Sequence, residues 1–267
     1  MCHGAVLSAA SDTVYHERMN RVLHMPELPV VKVNIGKDLP SLFVEVKGSH
    51  NIYDPYAGKK LEAAFTGSSY QMVPTKEGIT WGQHFPGVYQ IAIISDKVTA
   101  PLIVNGIPYD GVVAFYQTGD KLTAVNWINL DEFTASILNS IFLPKDADNK
   151  EVIAAYAIAI RSKVYQQMLR NEKNLWDLQG GACGYNGRST IRNDLPFVEA
   201  MKATKRLVMT SCQQRQETFD TQAIEKIRQQ MPLSEVQKMA QQGKDASEIL
   251  HHFYPEYVLN VIEISSK

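Results

Sequence analysis

A handful of side chains in this chain have a chemistry that ordinary surface or core duty leaves unexplained. Arg161 is a charge set into an otherwise apolar helical stripe. A guanidinium there needs a carboxylate or carbonyls around it, so it either bridges to a nearby loop or holds a ligand. Cys183 lies in a loop with four glycines, Trp176 to Arg188 (WDLQGGACGYNGR). A thiol in such a loop can serve as a nucleophile, yet no histidine is assigned to it by position. The loop is not a phosphate cradle, because it lacks the Gly-Lys-Ser/Thr ending and the preceding strand. His251 and His252 are neighbours on a helix, roughly a third of a turn apart, and do not readily share one ion. At a helix end they suit the dipole instead. The stretch Trp81–Gly87 (WGQHFPG) has aromatics that would stack on a sugar ring if exposed, or else cap a sheet end. No Cys or His set has metal spacing, and no Gly-x-Ser-x-Gly elbow occurs.

The elements that must position these groups are set by periodicity. Residues 29–128 read as short, mostly antiparallel strands. Val31, Val33 and Ile35 alternate with polar neighbours, LFVEVK does the same, and Thr118-Gly119-Asp120 marks a tight hairpin. At Asn129 the period changes to helical. Asn129 can cap a helix whose apolar face is Leu130, Phe133, Ile137, Leu138 and Ile141, with Glu132 in the capping-box position. Pro144 ends it, and Asp148 or Asn149 caps a second helix with the stripe Val152, Ile153, Tyr156, Ala159, Ile160 and Val164. Its alanines admit close neighbours. Beyond the glycine loop come a helix capped by Asp194, a strand RLVMTS, polar helices over 218–242, a last helix stopped by Pro255, and a closing strand VLNVIEI. Residues 1–28 show no sustained period and read as an arm.

The totals set limits on function. Lys plus Arg number 27 against 28 Asp plus Glu, a net charge of −1, so no basic face is available for nucleic acid. No apolar run is long enough for a transmembrane helix. Three cysteines are too few for a disulfide scaffold, although Cys183 and Cys212 could form one bridge in an exported protein or remain two thiols. Cys2 is either a free thiol or a lipoprotein cysteine. The opening residues lack the basic start and long apolar core of a secretory signal.

Residues 125–161 and the chain beyond them resemble the SpoIID family (stage II sporulation protein D and the amidase enhancer LytB). Val125-Asn126-Trp127-Ile128-Asn129-Leu130-Asp131-Glu132-Phe133 matches the family's Asn-x-Leu-x-Leu-Glu-Asp-Tyr stretch, and Glu151 to Arg161 its Glu-Ala-Leu-Lys-Ala-Gln-Ala-x-Ala-Ala-Arg helix. Upstream, Tyr109-Asp110-Gly111-Val112 is similar to a Tyr-Arg-Gly strand. Downstream, Asp177 and Cys183-Gly184-Tyr185-Asn186-Gly187 are similar to an Asp…Cys-Gln-x-Tyr-x-Gly loop. Leu207-Val208-Met209-Thr210 and Ile249-Leu250-His251-His252-Phe253-Tyr254-Pro255 are similar to the closing motifs. The likeness covers about residues 100–258.

The resemblance implies an α+β fold in which an antiparallel β-rich N-terminal half packs against a helical SpoIID-like core. The divisions would be an arm (1–28), a β-rich part (29–100) and a SpoIID-like domain (101–267). It implies action on peptidoglycan glycan strands, by lytic transglycosylation or beside a cell-wall amidase or hydrolase. That work places the protein in the periplasm or outside the cytoplasm, with anchoring through a removed signal or lipoprotein cysteine. No cofactor is implied. The family's Cys loop can hold metal, but no second ligand is evident here, so no metal is expected and Cys183 reads as a free thiol. Tyr156, Arg161, Cys183 and Tyr185 would line the glycan groove.

The family's catalytic glutamate falls on Ile141, and no carboxylate lies between Phe133 and Lys145. The Ser-Gly-Gly and Gly-His-Gly motifs have no counterparts. An acid protonating the leaving oxygen contributes about 10²–10⁴-fold in rate, and isoleucine cannot supply it. Asp146, in the turn after Pro144, is the least explained carboxylate and the candidate for a displaced acid. The expectation is therefore a glycan-strand binding or remodelling protein degenerate at Ile141, with an active divergent enzyme using Asp146 as the alternative.

Overall fold

The computed structural model describes residues 29–55, 57–95, 100–142, 149–188, 195–211 and 223–263. The expected arm, Cys2, Cys212, Pro144, Asp146, Asp148 and Asp194 lie outside the described residues. The fold is α+β, and the described chain forms two compact units. One comprises Asn34–Trp127, and the other residues 29–33 with the chain from Ile128 onward. The boundary expected at residue 100 falls inside the first unit.

The first unit is an antiparallel sheet. Its strands are the later part of β1 (Val30–Leu39), β2 (Leu42–Asp54), β3 (Lys59–Thr75), β4 (Gly78–Trp81), β5 (Gln83–Pro86), β6 (Gln90–Ser95), β7 (Leu102–Val104), β8 (Ile107–Tyr109), β9 (Val112–Thr118) and most of β10 (Lys121–Asn129). From β10 the order runs β9, β6, β2, β3, β4, β5, with β7 pairing β2 and β8 pairing β7. Thr118 faces Lys121 across the β9–β10 turn, so Gly119-Asp120 is a two-residue hairpin loop, and Gly119 supplies its positive φ of 62°. In β2 the alternation works as written: Leu42, Val44 and Val46 are buried, and Phe43 and Lys47 are exposed. In β1 it fails after Val33, where Asn34 is buried and Ile35, expected on the buried face, is only half-buried. Asn34 turns its side-chain oxygen to the Gly36 N–H at 3.1 Å, while its buried Nδ2 finds no hydrogen-bond partner among the described residues.

The stretch Trp81–Gly87 is no exposed aromatic loop. It is the turn and second strand of the β4–β5 hairpin, with Trp81 and Phe85 buried. The Trp81 indole N–H donates to the Val44 carbonyl at 3.2 Å, and the ring meets His50 at 5.5 Å. The stretch is thus part of the sheet instead of a loop over its end, and neither ring presents an open face.

The second unit is built on α2 (Lys150–Arg170). Its neighbours are α1 (Leu130–Ile141), α3 (Leu195–Ala203), α4 (Ala223–Gln230), α5 (Leu233–Gln241), α6 (Ala246–Phe253) and the antiparallel pair β12 (Leu207–Ser211) and β13 (Tyr257–Val261). Caps fix both leading helices: Asn129 accepts from the Asp131 N–H, and Asn149 accepts from the Glu151 N–H, each at 2.9 Å. Of the two caps weighed for α2, Asn149 is the one used. The stripe expected on α2 is too narrow. Val152 to Ser162 are buried without interruption, the mark of a helix surrounded on all sides. The first residues of β1 run beside the short β11 (Leu178–Gln179). Among the described residues no helix is long and apolar enough to cross a membrane.

Gly78 tests the first unit. Its φ is +134°, and an added Cβ would stand 2.2 Å from the Phe85 carbonyl oxygen and 2.9 Å from that of Val88. At Gly119 an added Cβ meets nothing within 4 Å. Urea denaturation should show Gly119→Ala costing about 1–2 kcal/mol for its left-handed backbone alone. Gly78→Ala should cost clearly more, since backbone there must also move.

Candidate functional site

The expected groove residues are all enclosed. Arg161 is 0% exposed, Tyr156 1%, Tyr185 3% and Cys183 6%. None offers the open face a polymer would need, and the reason differs for each.

Arg161 projects from α2 towards one carboxylate and two backbone carbonyls. Its Nε donates to Asp131 Oδ1 at 2.8 Å, and Nη2 lies 2.6 Å from the same oxygen. Nη1 donates to the carbonyls of Thr204 at 2.9 Å and Leu207 at 3.1 Å. Burial lowers its pKa and Asp131 opposes that, but an arginine starts so high that it stays a cation. Of its two possible roles, bridging is the one the structure shows. Glu151, ten residues earlier, is also structural: its Oε2 accepts the Ala246 N–H at 2.9 Å, placing a carboxylate on the first turn of α6.

Tyr185 stacks at a tilt on Phe133, with ring centres 5.2 Å apart. The Cys183 thiol donates to the Gly180 carbonyl at 3.3 Å, and burial pushes its pKa up to about 11. Burial thus disfavours the thiolate, the form of a cysteine that attacks. Among the described residues no three His, Cys, Asp or Glu side chains gather as a metal site.

Ile141, where the resemblance led an acid to be looked for, is the half-buried last residue of α1. With Phe142, Tyr156, Leu233, Glu225 and Arg228 it lines a cavity of about 200 Å³. The Tyr156 hydroxyl donates to the Met231 carbonyl, and burial pushes its pKa up to about 12. Its ring meets Phe142 edge-on at 4.9 Å. Glu225 and Arg228, one turn apart on α4, approach to 3.6 Å at the solvent side. The cavity thus has an apolar floor and a charged rim, and α4 supplies that rim.

A second and larger cavity, about 520 Å³, lies beside the glycine loop. It is lined by the end of α2 and the loop after it, with Gln167, Asn171, Trp176, Asp177, Gln179 and Cys183 among its walls. Asp177 is 5% exposed. Its Oδ2 accepts the Lys32 N–H at 2.8 Å, its own N–H donates to the Lys32 carbonyl at 2.7 Å, and its carbonyl accepts from Asn171 Nδ2 at 2.9 Å. Burial raises its pKa, against the opposing pull of the Lys32 N–H and ammonium. In the sequence Asp177 is only an early residue of a glycine loop, and nothing local marks it as buried. The partner that encloses it lies 145 residues away.

No family model matches the chain, and no solved structure matches it. The chain is 28% identical over 237 residues to an uncharacterized protein of Chlamydia pneumoniae, covering 88% of this chain and 82% of that one. An uncharacterized protein of Chlamydia muridarum is 27% identical over 237 residues, covering 88% and 78%. That length is greater than either unit, so the similarity spans both.

Two measurements test the site chemistry. Asp131→Ala leaves the Arg161 cation buried without a carboxylate and should cost about 3–5 kcal/mol by urea denaturation. Arg161→Met, which removes the charge itself, should cost less. Asp177 has a folded-state pKa above its unfolded one, so its contribution is complete at low pH and is lost as pH rises through the folded value. Asp177→Asn keeps an acceptor for the Lys32 N–H and does not titrate. Its melting temperature should therefore exceed that of the wild type at neutral pH, and the gain should disappear below the ordinary aspartate range.

Proposed function

We propose that this protein binds peptidoglycan glycan strands in the manner of a SpoIID-type domain, without cleaving them. One observation carries the reading. Where that family places its acid, α1 ends on Ile141, which forms the apolar floor of a small cavity with Phe142 and Tyr156. Support comes also from element order, since capped α1, the long α2 with Glu151 and Arg161, the glycine loop and the closing helix with Tyr254-Pro255 succeed one another as in the family. Without a proton donor for the leaving oxygen the cavity can hold a sugar but lacks the group that breaks the bond. A binder of this kind acts outside the cytoplasm, beside a cell-wall amidase or hydrolase that performs the cleavage.

A second reading keeps the enzyme: Glu225 lines the same cavity as Ile141 and is the only carboxylate among the described residues around it. It would serve as the displaced acid in place of Asp146, which lies outside the described residues.

Incubation of the purified protein with amidase-stripped glycan strands decides between the two. The expected result is retention of protein on the strands and no anhydromuramic ends by mass spectrometry. Anhydro products that vanish in Glu225→Gln or Asp146→Ala would establish the second reading. Absence of both retention and products would end both.

A further inference from the structure

We infer that this protein pairs with a second copy of itself through β13. The two copies of the strand run antiparallel and join two β12–β13 pairs into one four-stranded sheet. The inference stands on the open edge of that strand and not on glycan binding.

The edge is open in its backbone and apolar in its side chains. The Ile262 N–H donates to the Arg206 carbonyl at 2.9 Å, which makes Arg206–Ile262 a hydrogen-bonded pair of the ladder. Such pairs alternate, so Leu207, Met209, Leu259 and Val261 turn their N–H and C=O groups away from the strand opposite. On β12 those groups are met: Ser162 Oγ accepts the Met209 N–H at 2.6 Å, and the Leu207 carbonyl accepts from Arg161 at 3.1 Å. On β13 nothing among the described residues bonds the N–H or C=O of Leu259 or Val261. Val258, Leu259 and Val261 are 48%, 37% and 54% exposed. Tyr257–Val261 (YVLNV) also contains no charge and no proline, the devices that keep a sheet edge from pairing.

A second copy is the occupant that the edge itself complements. With a two-fold axis at Asn260, Leu259 falls opposite Val261 of the partner copy, and Val261 opposite its Leu259. All the open N–H and C=O groups of those two residues then pair, and two aliphatic cross-strand contacts form on one face. Charge agrees with this register. Glu263, exposed and without an ion pair among the described residues, comes opposite Tyr257 of the other copy. Lys163 Nζ stands 6.0 Å from the centre of that Tyr257 ring, so each end of the joint brings a carboxylate towards an ammonium. The joint is small. Five residues of strand span about 17 Å, a strip covering far less than the roughly 800 Å² per partner of a standard interface. The dimer is therefore weak and reversible.

The test follows the mass of the full chain by sedimentation velocity from micromolar to half-millimolar concentration. The expected result is a reversible rise from the mass of one chain towards that of two. Val261→Lys, at an exposed position, should weaken association about tenfold, because the symmetry imposes the loss of a cross-strand pair twice. It should retain the wild-type circular dichroism spectrum. At the axis the two Asn260 residues form a non-hydrogen-bonded pair with Cα atoms about 4.5 Å apart, a separation that a disulfide spans. Asn260→Cys should therefore give a disulfide-linked dimer above the wild-type level on mild oxidation, and Val258→Cys should not. Three outcomes overturn the inference: one chain's mass at every concentration, association unchanged in Val261→Lys, or cross-linking of Val258→Cys in preference to Asn260→Cys.

Discussion

The second unit depends on how one buried cation is answered. A guanidinium can be enclosed at the centre of a helical unit only if the faces of its fork meet oxygens. Arg161 meets Asp131 from the first turn of α1 and the carbonyls of Thr204 and Leu207 from the turn between α3 and β12. Three elements distant in sequence are thereby required to meet at one point. The turn is itself unusual, since Arg206 within it has a φ of +67°, and its guanidinium donates twice to the Ile262 carbonyl. The next residue of α2 continues the pinning, for the Ser162 hydroxyl accepts the Met209 N–H of β12 at 2.6 Å. Packing the alanine-rich surface of α2 from all sides is geometrically easy. Doing so around a charge fixes which sides face which neighbours.

The same requirement explains why residues that look functional in sequence turn out to be structural. Arg161, Glu151, Tyr156 and Tyr185 are polar or aromatic residues at spacings a binding groove would use, and each is instead consumed by a bond or stack inside the unit. Asp177 is the reverse case. It has the appearance of a turn residue, yet it is a buried carboxyl at a cavity wall, where burial disfavours its charged form. Chemistry therefore concentrates at two places, the end of α1 and the loop after α2. One is apolar at its floor, and the other has the buried Asp177 in its wall.

Local patterns are legible where local physics decides. The Gly119-Asp120 hairpin, the Asn129 cap, the alternation of Leu42, Val44 and Val46 and the helix ended before Pro255 can all be read from a few residues. The α+β class is visible in the change of period at Asn129. The length of β3 is not legible, because its middle passes through Gly67-Ser68-Ser69, which reads as a turn but pairs with β2 around a register shift. Trp81 looks like part of an exposed loop because its partner, Val44, is 37 residues away. Asp177 escapes for the same reason on a larger scale. What decides these positions is a contact distant along the chain, and no window of sequence contains it.

The division of the chain has a consequence for how the molecule is made. Among the described residues the first unit is one segment in sequence, whereas the second takes five residues from before it and the remainder from after. Translation therefore delivers Pro29 and Lys32 early and their partners late: the Leu130 N–H, which the Pro29 carbonyl accepts at 3.0 Å, and Asp177. The sheet can close as it leaves the ribosome, while the strand ahead of it waits for a helical unit not yet synthesised. Closing contacts of such long separation is slow. A copy begun at Ile128 would lack the strand that completes the Asp177 loop. The first unit is in effect an insertion between two pieces of the second, and the Lys32–Asp177 bond joins those two pieces.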